Sequence, residues 1–429
     1  MAERHIDIVK AAGSIPATPT MNILSIETSC DETAISIIET NDVSTATPKG
    51  AAVEFKILGN VLLSQIKIHK KYGGVFPTLA KREHSKNLIP ILKKVLEESN
   101  FLKLSKSTIS TFNIQILNSI LEREPELLEQ FLKFIPTIKP PKIDAVAVTV
   151  GPGLEPALWV GINFAKTLAL IWKKPIVPIN HMEGHIVSAL LKKSGNKFSI
   201  FNFQFPKFPM IALLISGGHT QLVLSKEWLK YEIIGETLDD AVGEAFDKVA
   251  RMLGLSYPGG PEISKLAQKA REYTLISKEV ADKLYRLPRP MLKSETCDFS
   301  FSGLKTAVLY MLKKIPNITD EKKKKIALEF EDAVTEVLIS KTKKVLKRYD
   351  VKTLIIGGGV AANEHIKTSF ENMIRNEYLK IRLHIPTKEL STDNAIMIAI
   401  AGYFRFSQNS KKYKKQNFDK IKADGNLSL

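Results

Sequence analysis

Cysteine is nearly absent: Cys30 and Cys297 are the only two in 429 residues. So few thiols cannot staple a fold, and the chain is expected to hold together through its core in a reducing compartment. Long apolar runs are missing too, since no stretch approaches the about 20 residues that a membrane-spanning helix needs. The first 20 residues have no apolar signal core and carry Glu3 and Asp7 beside Arg4 and Lys10, which fits neither a secretory signal nor a transit peptide. Neither G-x-x-x-x-G-K-[ST] nor a helix-opening G-x-G-x-x-G occurs, so ordinary P-loop and dinucleotide-binding readings drop out. Acidic residues are in deficit, 45 Asp plus Glu against 62 Lys plus Arg, for a formal charge of +17. That excess favours a polyanionic partner through steering and counterion release. Part of it sits in runs such as Lys322 to Lys325 and the residues after Lys411, which serve equally well as solvated faces.

What is present points to a large α/β protein. The chain exceeds the usual size of one core, so two packed lobes are expected. Asn22 to Glu39 reads as strand, polar turn, strand, and Met210 to Ser225 repeats that plan around Ser216-Gly217-Gly218-His219-Thr220-Gln221. Asp144 to Val150 and Pro175 to Ile179 read as buried strands with a helix between them. In the second half, a helix is expected over Leu238 to Leu253 and another over Glu321 to Tyr349. Thr353 to Ile356 then runs into Gly357-Gly358-Gly359 and a helix, the strand-turn-helix geometry that binds anions. Alternating strands and helices predict mixed sheets flanked by helices, duplicated in two lobes. The expected division is an N-terminal extension over 1–20, a first lobe over 21–209, a second over 210–407, and a basic C-terminal tail over 408–429. Residues about 100–141 look inserted, with one amphipathic segment from Ile114 to Phe134 forming a surface helix or partner contact.

Several clusters could carry chemistry. His181 and His185 are spaced i, i+4, so on a helix both imidazoles share a face and can share a metal. Glu183 falls on the opposite side and cannot be the base of a metalloprotease motif. Asp393, before an Ala-rich helix in the other half, is the candidate third ligand. The glycine turns at 216–218 and 357–359 let backbone N–H groups approach a phosphate. Asp240, Glu244 and Asp247 share a helical face beside Asp239, as either a solvated acidic face or a ribose or metal site. Glu27, Asp31 and Glu32 could orient a hydrated cation or simply form a turn. Lys67 to His84 mixes lysines, Arg82, two histidines, Tyr72 and Phe76 and reads as an RNA-facing patch or a basic helix surface.

Taken together, SIETSCDETA (25–34), HKKYGGVFPTLAKREH (69–84), GPGLEPAL (151–158), HMEGH (181–185), LLISGGHTQL (213–222), GEAFDKVARMLGLSYPGGP (243–261), FSFSGLKTAV (299–308), GGGVAAN (357–363) and STDNAIMIA (391–399) resemble the universal threonylcarbamoyladenosine transferases, called TsaD in bacteria. The resemblance implies an actin-like ATPase (ASKHA) duplicated two-lobe fold. It also implies transfer of threonylcarbamoyl from threonylcarbamoyl-AMP to N6 of adenine 37 in tRNAs reading codons that begin with A. By the same resemblance, His181, His185 and Asp393 match ligands of a divalent metal, iron or zinc, bridging the lobes. Leu214, Ile215, Ser216, Gly217, Gly218, Asp247, Gly260 and Asn363 match substrate-contacting positions. A Mg2+ carried with the nucleotide, a noncatalytic TsaB-like paralogue, a small TsaE-like ATPase and a cytoplasmic location are expected, with a mitochondrial one as the alternative. The insert, the extension before Met21, and Glu155 and Pro156 depart from the family pattern. Rival readings are a small-molecule kinase of the same fold, a metalloprotease and a noncatalytic scaffold.

Overall fold

β-Branched residues at alternating positions build two sheets, each buried on both faces. The computed structural model describes residues 20–42, 53–106, 108–194, 200–277 and 285–429, so the extension expected at 1–20 lies outside them except for Thr20. The strands are β1 Met21–Glu27, β2 Glu32–Asp42, β3 Val53–Ser64, β4 Ala145–Gly151, β5 Ile176–Asn180, β6 Leu191–Lys193, β7 Ile200–Phe203, β8 Met210–Ile215, β9 Thr220–Glu227, β10 Lys230–Glu236, β11 Thr353–Gly357 and β12 Arg382–His384. The first sheet runs β5-β4-β1-β2-β3-β7-β6 and the second β10-β9-β8-β11-β12. In both, two antiparallel pairings are followed by two parallel ones: β3-β2-β1-β4-β5 and β10-β9-β8-β11-β12 have the same order and sense. The duplication read from the two hairpins is therefore a repeat of whole sheets. This is the two-lobed actin-like arrangement of mixed sheets flanked by helices.

The helices are α1 Ile66–His69, α2 Pro77–Glu98, α3 Thr111–Ile120, α4 Pro125–Phe134, α5 Glu155–Trp172, α6 His181–Ala189, α7 Val242–Met252, α8 Gly259–Ser277, α9 Ser302–Lys314, α10 Asp320–Arg348, α11 Glu364–Glu377, α12 Lys388–Ser391, α13 Ala395–Gln408 and α14 Ser410–Lys414. Strand alternation divides the side chains between layers. Leu24, Ile26, Val146 and Val148 face outward under α2 and α5, whereas Ile23, Ala145 and Ala147 face inward. Ile211, Leu213 and Ile215 face α7 and α10, whereas Met210, Ala212 and Leu214 face inward. Between the sheets lie α6 and α13, and their positions are exchanged. Helix α6, from the first half of the chain, lies on β11 and β8 of the second sheet, while α13, from the second half, lies on β1, β2 and β4 of the first.

Three expectations change in the structure. The segment 114–134 is two helices, because Pro125 cannot continue α3 and instead opens α4. Leu117, Leu121, Leu127 and Phe131 are fully buried, so these helices form part of the outer layer of the first sheet. The helix expected from Leu238 starts only at Val242, since Asp239 and Asp240 are occupied by contacts that precede it. Residues after 408 form α14 and then lie across the first sheet, with Ile421 buried, Asp424 N–H on Val150 O at 2.9 Å and Gly153 N–H on Gly425 O at 3.1 Å. No helix among the described residues is long and apolar enough to cross a membrane.

Candidate metal centre and substrate cleft

Asn180 sets the geometry of the histidine helix. Its side-chain oxygen accepts from Met182 N–H at 2.9 Å and Glu183 N–H at 3.4 Å, satisfying N-terminal donors of α6 and placing His181 in the first turn. One turn on, the His185 ring meets that of His181 edge-on at 4.7 Å between centroids. Asn394 does the same for α13 by accepting from Met397 N–H at 3.0 Å, which holds the preceding Asp393 at the mouth of that helix. The two helix starts converge because Gly184 lets α13 approach: a Cβ there would stand 3.1 Å from Met397 and Ile398.

The result is a small donor set of two buried histidines and the half-buried Asp393. Asp393 Oδ1 is 3.2 Å from Nε2 of both His181 and His185, and one ligand atom from each residue lies within 4.8 Å of the others. The other nitrogen of His181, Nδ1, faces Glu27 Oε2 at 3.3 Å and Ser29 Oγ at 3.2 Å. Glu27 is itself held by Ser29 N–H at 2.6 Å and Thr149 Oγ1 at 2.5 Å. Burial alone would depress the His181 imidazole, but the Asp393 and Glu27 carboxylates outweigh it and hold the ring well above its usual range. Burial would raise Asp393, yet His181 and His185 keep it far below the usual carboxylate range. His185 is pushed down, first by burial and also by the neighbouring His181 charge. Both ring nitrogens of His185 are fully buried; Nδ1 has no partner, and Nε2 has only the Asp393 carboxylate. Two imidazole nitrogens and a carboxylate on one point, with one imidazole otherwise orphaned, fit a divalent transition metal.

Beside this cluster the second sheet supplies the glycine turns. Ser216 N–H bonds His219 O at 2.9 Å, and His219 N–H bonds Ser216 Oγ at 3.1 Å, which closes the turn. Gly217 and Gly218 are exposed, with open space where a Cβ would stand. Gly358 has φ +93°, and a Cβ there would collide with Ile215 O, so only glycine lets the two turns meet. Leu214 and Ile215 bury their side chains in the core on opposite faces of β8 and have only backbone to offer a ligand. His219 stands near the candidate metal ligands, and its ring is pushed down to about 4 by burial and by the nearby His181 and His185.

A second group forms around α8. Asp247 accepts from Gly259 N–H at 2.6 Å and shapes the turn into α8, while the Cα of Gly260 faces open space. Asn363 caps α11 through Ile366 N–H at 3.0 Å and turns its amide to Ser264 Oγ at 2.7 Å and buried Glu331 at 2.8 Å. Glu331 in turn binds Arg271 at 2.6 Å.

The acidic cluster does not stay together. Asp239 accepts from Ser300, Phe301 and Ser302 at the start of α9, Asp240 pairs with Lys248 and Lys305, and Glu244 pairs with Lys248. Of the four, Asp247 alone is turned toward Gly259 and Gly260, and Asp240 precedes the helix, which starts at Val242. In the basic segment His69 and His84 are buried, whereas Lys67, Lys70, Lys71, Tyr72, Phe76 and Arg82 are exposed. Glu183 is bound by Arg405, Oε1 at 2.9 Å from Nε, on the face away from Asp393. Ser29, Thr149 and Arg405 were not singled out in the sequence, and His219 was named only as part of its turn. Thr149 within an otherwise apolar strand, and a histidine directly after a glycine turn, were the signals for two of them.

A profile of the family described as TsaD, tRNA N6-adenosine threonylcarbamoyltransferase, matches residues 56–110 and 121–400. Relatives bearing the same description include one from Persephonella marina, 40% identical over 392 residues covering 91% of each chain. A second, from Thermosipho melanesiensis, is 41% identical over 390 residues, 91% of this chain and 96% of the other. A third, from Polynucleobacter necessarius, is 41% identical over 397 residues, 90% of this chain and 92% of the other. With the second sheet, the glycine turns and the histidine helix all falling inside the matched residues, this chain belongs to the tRNA N6-adenosine threonylcarbamoyltransferase family.

Proposed function

We propose that the protein transfers threonylcarbamoyl from threonylcarbamoyl-AMP to N6 of adenine 37 in tRNAs reading codons that begin with A. The observation that carries this reading is the meeting of His181, His185 and Asp393 beside the open turn at Gly217 and Gly218. In the transfer, the adenine N6 amine attacks the carbamoyl carbon. A C–N bond forms, the C–O bond to the phosphate breaks, AMP leaves, and the amine loses a proton. The donor is already activated, so the protein's task is to position the partners and stabilise charge. Backbone N–H groups of Gly217 and Gly218 receive the phosphate, and Asp247, Gly260 and Asn363 line the nucleoside end. His181, His185 and Asp393 hold an Fe2+ or Zn2+, which when bound supplies Lewis acidity toward the donor. Asp31, whose buried Oδ2 has no hydrogen-bond partner, is the carboxylate left for a Mg2+ carried by the nucleotide. Glu27 fixes the His181 tautomer from the far side. A TsaB-like paralogue and a TsaE-like ATPase act with the protein in the cytoplasm.

The test is transfer of labelled threonine, with bicarbonate, ATP and the adenylate-forming enzyme, onto such a tRNA, with and without the helper pair. Label with the wild type that disappears in His185→Ala supports both transfer and metal site. Equal label in the two proteins removes the histidine pair from the mechanism, and no label even with helpers overturns the function.

A further inference from the structure

We infer that the loop from Lys67 to Phe76, with Arg251 opposite it, is the surface on which the tRNA anticodon arm docks. This inference rests on the transferase reading and adds to it where the acceptor is held. Between Gln65 and Arg82 the chain carries five Lys and Arg residues and no carboxylate. Lys81 is neutralised by Glu124 at 3.1 Å, but Lys67, Lys70, Lys71 and Arg82 have no carboxylate partner among the described residues. Tyr72 and Phe76 are 62% and 55% exposed, with ring centroids 5.9 Å apart. Two large aromatic rings left in water side by side, ringed by unpaired cations, have the composition of a base-stacking platform with phosphate contacts around it.

Hydrogen bonds anchor the loop beside the turn after β1. Gln65 N–H bonds Asp31 O at 2.9 Å, which ties the loop's base to the turn after β1. His69 is fully buried and staples the rest: Nε2 reaches Gln65 Oε1 at 3.1 Å, and Nδ1 accepts Phe76 N–H at 3.3 Å. With the inner residues pinned, Lys70, Lys71 and Tyr72 project outward at little further entropic cost. Across the cleft, Arg251 at the end of α7 donates to Gly73 O, and it sits one turn from Asp247 on the same helix. The positive strip thus crosses from the first sheet's side to the second's, next to Asp247.

The chemistry of the acceptor explains the aromatic pair. A base in a stacked anticodon loop has to leave its neighbours to reach a buried site, which costs a few kcal/mol of stacking. Tyr72 and Phe76 offer a replacement surface to a base next to the extruded adenine, and the lysines hold the flanking phosphates.

The experiment measures binding of a tRNA that reads a codon beginning with A, by fluorescence anisotropy over a series of salt concentrations. It compares wild type, Lys70→Gln/Lys71→Gln and Tyr72→Ala/Phe76→Ala. The lysine variant is expected to bind more weakly and to flatten the slope of log K against log salt by about 1.4, roughly 0.7 per lost phosphate contact. The aromatic variant is expected to bind about tenfold more weakly with the slope unchanged, as loss of stacking requires. Both should keep the wild-type thermal midpoint and metal content. Wild-type affinity and slope in both variants overturn the surface, as does unchanged tRNA binding with lost binding of the helper paralogue, which would mark a protein interface. Failure of the wild type itself to label tRNA strikes the transferase reading instead, so the two failures are distinguishable.

Discussion

Glu27 Oε2 lies 3.3 Å from His181 Nδ1, on the side of the ring opposite Asp393. A carboxylate there fixes the ring with Nε2 free for a metal and raises its basicity. Glu27→Gln keeps the volume and removes the charge. We expect metal affinity to fall about 10- to 100-fold, read by competition with a chromophoric chelator, with little change in the thermal midpoint of the apoprotein. Undiminished affinity would mean that Glu27 serves only the fold.

Asp393 links the two histidines, so its removal should release the metal outright. Asp393→Ala is expected to purify with far less than stoichiometric metal by elemental analysis and to show no transfer. Chelation of the wild type should abolish transfer, and Fe2+ or Zn2+ should restore it. Full transfer by the chelated wild type would eliminate the metal from the reaction.

Glu183 and Arg405 form an ion pair between α6 and α13, with Glu183 buried. Arg405→Met leaves a carboxylate without its cation, at a cost of about 3 kcal/mol in urea unfolding. Adding Glu183→Gln should recover most of that loss, because the second change removes the stranded charge. A double variant as unstable as the single one would contradict this account.

His84 gives a pH dependence whose sign follows from its contacts. Nε2 donates to Cys30 O at 2.9 Å, and Nδ1 faces the Thr33 hydroxyl at 2.8 Å and the Gln65 amide at 3.3 Å, so a second ring proton has no place. Burial pushes the imidazole down from 6.5 to about 4, against the pull of the Cys30 carbonyl. The unfolded chain binds this proton below about 6.5 and the folded protein only near 4, so His84 favours folding fully above that range and ceases to as pH falls through it. Over the whole window the effect is about 3 kcal/mol at roughly 1.4 kcal/mol per pH unit. His84→Gln should show a correspondingly shallower loss of stability between pH 6.5 and 4. Parallel curves for variant and wild type would refute it.

The local periodicities were legible in the sequence: both hairpins, the i, i+4 histidines on a helix, and the strand running into Gly357. Asp393 was also legible, since an acidic residue beside the Asn394 cap of an apolar helix is a local pattern. What stayed hidden depended on partners distant in the chain. The Asp239-to-Asp247 cluster looked like one face until Ser302 and Lys305 arrived from α9 to claim two of its members. The 100–141 segment looked like an insert carrying an amphipathic surface helix, but Leu117 and Phe131 find the outer side of the first sheet. The destination of α13 could not be read, because its apolar sides fit either sheet.

The exchange of α6 and α13 has a consequence for biosynthesis. The first sheet is complete on the ribosome about 200 residues before α13 emerges, a wait of roughly 10 to 40 seconds at ordinary elongation rates. Through that interval Ile23, Ala145 and Ala147 lack the cover of α13 on their inner face. The nascent first half is therefore expected to carry an exposed apolar face until α13 arrives to cover it.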